Sequence, residues 1–174
     1  GTRPVIDYVV QDVLKAGIKD IYFVVGEQST QIQNYYRTNI QLNDYLKRNG
    51  KEDKLPLVAP LEGANIHFVA QPATGGYGTS IPVGLCSEYI AEDESAIVIM
   101  GDQFFWRDDD GSNTKDFIDA ATAKQINIGI SGVAVPLEGI DSSIEMDSEG
   151  NFVRIIEKPG PGEAPTNLQN ASFY

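Results

Sequence analysis

The sequence predicts an α/β fold in which a mainly parallel sheet carries helices on its faces, with one antiparallel excursion near the C-terminus. Three observations predict it. Ser95-Ala96-Ile97-Val98-Ile99-Met100 is an apolar run of strand length with no polar face, which reads as a central strand covered on both sides. Helical and strand patterns alternate along most of the chain, as parallel sheets with crossover helices require. Asp147-Ser148-Glu149-Gly150, set between Ser143–Met146 and Phe152–Glu157, is a hairpin signal that supplies the antiparallel part.

The elements follow in order. Pro4 sits where a helix can begin, and Val5, Ile6, Val9, Val10, Val13 and Leu14 recur at helical spacing until Gly17 stops the run. Asp20–Val25 reads as a buried strand ended by Gly26. Residues 30–46 read as helix in two pieces, with Ile32, Tyr35, Tyr36, Leu42, Tyr45 and Leu46 as the apolar positions. A charged loop at 49–54 and a segment broken by Pro56 and Pro60 lead to a strand over 65–70. A helix over 79–91 precedes the apolar run at 95–100. Residues 108–113 form a polar turn before a helix over 114–125, for which Thr114 is the expected cap. A strand over 126–135 and the terminal hairpin complete the pattern.

At 174 residues the chain is one ordinary domain, long enough to bury about two-thirds of its unfolded surface. Hydrophobic content of 41% and charged content of 22% are those of a globular protein, and no apolar run approaches membrane-spanning length. No basic segment followed by an apolar stretch opens the chain. A single cysteine, Cys86, rules out an intrachain disulfide and suits a reducing compartment, so a cytoplasmic location is expected. The net charge of −12 argues against a non-specific nucleic-acid or anionic-membrane surface, since both need clustered Lys and Arg. Phosphate ligands stay compatible with that charge, through a metal ion, one Lys or local backbone amides.

Three motifs carry candidate chemistry. The apolar run enters Gly101-Asp102 at the carboxyl end of its strand, where ligands of open α/β sheets gather. Asp102 offers hard oxygen ligands to a cation such as Mg²⁺, and the competing role is a cap on the following turn. Gln71-Pro72-Ala73-Thr74-Gly75-Gly76-Tyr77-Gly78-Thr79 lies between a strand and a helix; its glycines allow close backbone approach, and Gln71 can pair with a base edge. It is neither the phosphate-loop nor the dinucleotide glycine pattern, and the competing reading is an ordinary flexible crossover loop. Ile155-Ile156-Glu157-Lys158-Pro159 puts an acid and a base at a strand end, where Lys158 can meet a phosphate and Glu157 sugar hydroxyls; taken by itself the motif reads more readily as a solvated strand end. In an unbroken strand these neighbours point to opposite faces.

In this order, the motifs resemble the sugar-1-phosphate nucleotidyltransferases. Arg3-Pro4-Val5-Ile6-Asp7-Tyr8-Val9-Val10 is similar to the Lys-Pro-x-Ile-x-Tyr-Val-Val stretch of the bacterial UTP–glucose-1-phosphate uridylyltransferase branch. Residues 36–46 resemble the helical insertion of that branch, and Pro165-Thr166-Asn167-Leu168 its Pro-Ser-Asn-Leu. The resemblance implies a Rossmann-like three-layer α/β/α sandwich, the nucleotide-diphospho-sugar transferase fold. It further implies transfer of uridylyl from UTP to glucose-1-phosphate, giving UDP-glucose and pyrophosphate. Gln71 and Gly76 would contact the uracil, with Gly78 near the nucleoside. Asp102 would bind Mg²⁺, Gly132 would lie against the glucose, Glu157 would hold sugar hydroxyls, and Lys158 would contact the sugar phosphate.

Two departures qualify the resemblance. The family's Gly-Gly-x-Gly-Thr-Arg loop would precede the Arg3–Val10 stretch, and a second metal-binding Asp would follow the Asn-Leu segment. The chain therefore reads as a catalytic domain over 1–174 cut at both ends, and inactive alone. Another base or sugar, dTTP in particular, is the first alternative, and a catalytically incompetent sugar-nucleotide-binding module is the second. Tyr-rich residues at 35–45 hint at a homo-oligomer.

Overall fold

A computed structural model describes residues 3–59, 61–76 and 78–174. Gly1 and Thr2, Pro60, and Tyr77 of the glycine-rich loop lie outside the described residues. The elements are helix α1 (Val5–Lys15), strand β1 (Asp20–Gly26), helices α2 (Gln31–Tyr36) and α3 (Ile40–Arg48), strand β2 (Asn65–Gln71), helix α4 (Ser80–Cys86), helix α5 (Asn113–Ala123), and strands β3 (Gly132–Ala134), β4 (Ser142–Met146), β5 (Phe152–Glu157) and β6 (Leu168–Asn170). They form two compact units, residues 18–94 and residues 1–17 with 95–174.

In the unit of residues 18–94, β1 and β2 pair in parallel from Asp20↔Asn65 to Gly26↔Gln71. Two parallel strands need a long crossover, which α2 and α3 supply. Phe23 and Val25 are buried. The Phe23 ring stacks on Tyr36 of α2 at 5.2 Å and on Phe68 of β2 at 5.6 Å, so an aromatic layer joins helix to sheet. Asn39 caps α3, its Oδ1 accepting from the Leu42 N–H at 2.9 Å. His67 stacks on Tyr22 at 4.5 Å and lies 3.4 Å from Asp20.

In the other unit, α1 buries Val9, Val10 and Val13, the stripe its periodicity predicts. The start of α5 departs from expectation. Ser112 is the cap, accepting from the Lys115 N–H at 3.0 Å, and Thr114 is instead fully buried inside the first turn. Its amide and hydroxyl both donate to the Asp12 carboxylate of α1, at 2.8 and 2.7 Å, and the Asn113 amide donates to the same group at 2.9 Å. An acid from a helix a hundred residues away thus satisfies free amides of α5 and complements its dipole.

The four strands of this unit form an antiparallel sheet in the order β3-β6-β4-β5. The hairpin β4–β5 forms where predicted. In its turn Asp147 accepts from the Asn151 side chain and amide and from the Glu149 amide, which holds its carboxyl below the usual range. The α/β class is as expected, but the balance of pairing differs: among the described residues, parallel pairing is confined to β1 and β2. Ile97–Met100 is half-buried and makes an antiparallel bridge, Ile99↔Phe173, rather than a central parallel strand. Val98 exchanges both backbone hydrogen bonds with Tyr174, and Met100 N–H donates to Ser172 O. The strand expected over 126–135 shrinks to three residues, because Gln125 turns left-handed at φ 55° and Ile128 is 94% exposed.

Arg107 ties the polar turn to α5 by pairing with Asp109 and Asp116. Asp109 is held down to about 2, first by Arg107 and then by the Gly111 amide, while Arg107 is pushed above its ordinary range by the same carboxylates. A carboxylate depressed in the folded state stabilises above its unfolded pKa, and that stability is lost as pH falls from about 4 toward 2. Asp109→Asn should therefore lower the melting temperature slightly at pH 6 and leave it unchanged near pH 2. Parallel melting curves for variant and parent across that range would contradict the role of this pair.

Candidate functional site

The predicted site residues fall in both units. In residues 18–94, Gln71 ends β2, half-buried, and its carbonyl accepts from the Glu27 amide at 3.1 Å. Gly76 is exposed in the loop that follows, and a Cβ there would lie 2.9 Å from the Ile81 side chain of α4. Gly78 adopts φ +126°, a conformation that L side chains rarely take, so the glycine is required by the backbone itself. Glutamine and glycines thus sit at the carboxyl end of a parallel strand, the ligand-binding end of such sheets.

The remaining candidates lie in the other unit, and the antiparallel sheet relates them. Gly132 of β3 pairs with Asn170 of β6, and Glu157 of β5 pairs with Ser142 of β4. Ser143 pairs with Gln169; extending that antiparallel register by one residue brings Ser142 beside Asn170. Gly132, Asn170, Ser142 and Glu157 therefore share one transverse row, with Gly132 and Glu157 about 14 Å apart across three strand spacings. A Cβ on Gly132 would come within 2.9 Å of Ile144 Cδ1. Close packing over β4 is one reason for glycine at that edge.

Lys158 follows directly, exposed, at φ 47° and before Pro159. Both features are unfavourable for a residue with a Cβ. Its amide donates to Asp141 O at 2.7 Å, which helps hold that conformation. The left-handed turn takes Lys158 out of strand alternation, so the opposite-face expectation for Glu157 and Lys158 does not apply. Strain of this kind collects at ligand-handling positions.

Asp102 is exposed in a turn. Gly101 has a packing reason of its own: a Cβ there would lie 2.6 Å from Ile6 of α1. Among the described residues no hydrogen bond or ion pair engages Asp102, which removes the turn-cap role. No cluster of three or more His, Cys, Asp or Glu that could hold a metal occurs among them either. Mg²⁺ keeps several waters and takes one or two carboxylates, with phosphates completing the shell. A single exposed carboxylate that no described residue engages fits that mode.

Cavities track these residues only in part. A hollow of about 200 Å³ includes Gly132, with Ser131, Phe117 and Phe173 around it. A cleft of about 260 Å³ is lined by Tyr8, Gln103, Phe104, Trp106 and Arg107, among others, and contains none of the predicted residues. Phe104 stacks on Tyr8 at 5.0 Å, whereas Trp106 is 76% exposed.

Sequence reasoning missed Ser143 and Thr166, which lock β6 beside β4. The Ser143 hydroxyl donates to Thr166 O at 2.8 Å, and the Thr166 hydroxyl donates to Ile144 O. The Pro165–Leu168 match carried the signal, since its threonine falls at this lock.

The nucleotidyl transferase family model matches residues 1–174, and the chain belongs to that family. A UTP–glucose-1-phosphate uridylyltransferase of Streptococcus pneumoniae serotype 4 is 28% identical over 99% of this chain and 59% of its own length. A Methanocaldococcus jannaschii relative, provisionally given the same name, is 31% identical over 99% of this chain and 60% of its own. The UDP-glucose pyrophosphorylase of Acinetobacter baumannii superposes with a TM-score of 0.81 at 26% identity, over 99% of this chain and 62% of that one. The fold is thus the nucleotide-diphospho-sugar transferase fold. The chain spans about 60% of the length of the curated relatives it matches.

Proposed function

We propose that the protein carrying this sequence transfers uridylyl from UTP to glucose-1-phosphate. A phosphate oxygen of glucose-1-phosphate attacks the α-phosphorus of UTP, the bond to the β,γ-phosphates breaks, and UDP-glucose and pyrophosphate leave. One observation carries the reading above the others. Relatives named for this activity match 99% of the chain, and its Gln-Gly-rich, Gly-Asp and Glu-Lys-Pro motifs stand in the family's order.

In this reading Gln71 offers paired hydrogen bonds to the uracil edge, and Gly76 and Gly78 let backbone approach the nucleoside. Gly132 gives the sugar a surface without a side chain, and Glu157 accepts from its hydroxyls. Lys158 meets the sugar phosphate as a point charge. Asp102 would hold Mg²⁺, which when bound neutralises and orients phosphate oxygens. Such a transfer needs positioning and charge stabilisation more than a protein nucleophile. The lone Cys86, whose thiol burial pushes up, fits a cytoplasmic setting. Among the described residues, no helix is long and apolar enough to cross a membrane.

Lys158 supplies a test. Lys158→Ala should raise KM for glucose-1-phosphate and lower turnover by about ten- to a hundredfold, the cost of one charge-assisted contact. Lys158→Gly should lose as much activity while melting no lower than Lys158→Ala, because glycine accepts φ 47° freely. Near-parental kinetics in both variants would end the sugar-phosphate role.

A further inference from the structure

The turn that carries Asp102 is held from both flanks by one residue far along the chain. Before the turn, the Met100 amide donates to the Ser172 carbonyl at 3.2 Å. After it, the Ser172 hydroxyl donates to Gln103 Oε1 at 3.1 Å. Ser172 is only 6% exposed and sits at φ 59°, the left-handed region that disfavours a side chain. It is fixed there by its neighbours: the Ser172 amide donates to Asn170 Oδ1 at 3.0 Å, and Asn170 Nδ2 donates to the Tyr174 hydroxyl at 2.7 Å. Glycine would occupy this backbone without penalty, yet a serine stands there, and its hydroxyl is spent on the residue next to Asp102. Asn170 also pairs with Gly132, so the same short segment registers the Gly132 edge and the Asp102 turn.

We propose that Ser172 is a positioning residue for Asp102, acting through Gln103; this rests on the reading of Asp102 as a Mg²⁺ ligand. Asp102 itself has no partner among the described residues, so its placement relies on what grips the turn on either side. A carboxylate held in advance binds a cation without first losing conformational freedom. A loosened turn would bind it less tightly.

The test uses Ser172→Gly, Gln103→Met and the double variant in the protein carrying this sequence. Melting temperature is read alongside Mn²⁺ affinity in the presence of UTP, followed by paramagnetic resonance. Ser172→Gly should melt no lower than the parent, because backbone relief offsets the lost bond. Its Mn²⁺ affinity should still fall about tenfold, the effect of roughly one lost hydrogen bond. Gln103→Met should fall by the same factor, and the double variant no further, since both remove one interaction. Unchanged affinity in the single variants, or fully additive losses, would overturn the proposal. Asp102→Asn measured in parallel separates the two ideas. Parental Mn²⁺ affinity in Asp102→Asn overturns the metal reading and this proposal with it. Loss there, with parental affinity in Ser172→Gly, overturns the clamp alone.

Discussion

Asp102→Asn is expected to lose at least about a hundredfold in UDP-glucose formation while its melting temperature stays within a degree or two of the parent. The substitution keeps the size and polarity of the side chain and removes its charge. Because no described group bonds to Asp102, the fold should not register the change. The chemistry should. Removing one preorganised electrostatic group commonly costs about a hundred- to a thousandfold in rate. A raised Mg²⁺ requirement should accompany the loss. Activity and Mg²⁺ dependence equal to those of the parent would refute the assignment of Asp102.

The largest effect on stability is expected at Asp12. Its carboxylate takes three hydrogen bonds from Asn113 and Thr114, and Thr114 is fully buried. Asp12→Ala strands two amides and a hydroxyl at the start of α5. Hydrogen bonds to a charged acceptor contribute about 1.5–3 kcal/mol, and buried donors left unpaired cost a comparable amount. A loss of about 3 kcal/mol is expected, or roughly 6–12 °C in melting temperature for a chain of this size. Asp12→Asn keeps one acceptor and should lose about half as much. A thermal shift under about 2 °C for Asp12→Ala would contradict the cross-helix cap.

These two residues show where the sequence speaks and where it does not. Strand β1 is legible because Ile21–Val25 is a continuous apolar run, β2 because it follows a segment broken by prolines, and the β4–β5 hairpin because Asp147–Gly150 carries its own turn chemistry. The α1 helix is legible from its stripe. Asp12 lies within that helix, and its partners are about a hundred positions away, so no local pattern marks it. Ser112, Asn113 and Thr114 all resemble caps in sequence; the choice among them depends on where Asp12 arrives. The run at 97–100 looks like a central strand because composition records apolarity but not the number of neighbouring strands. Gly132 is legible only through family resemblance, whereas Glu157 stands out already as an acid at a strand end. Their common row follows from the register of β6 between β3 and β4, which is fixed by the Ser143–Thr166 lock.

The most direct test of the central claim is product formation by the protein carrying this sequence in full. It should be supplied with UTP, glucose-1-phosphate and Mg²⁺, with UDP-glucose and pyrophosphate both quantified. The reading predicts the two products in equal amounts, with UTP preferred over dTTP and loss of both on chelation of the metal. No UDP-glucose from UTP, or faster turnover with dTTP or another sugar phosphate, would contradict it.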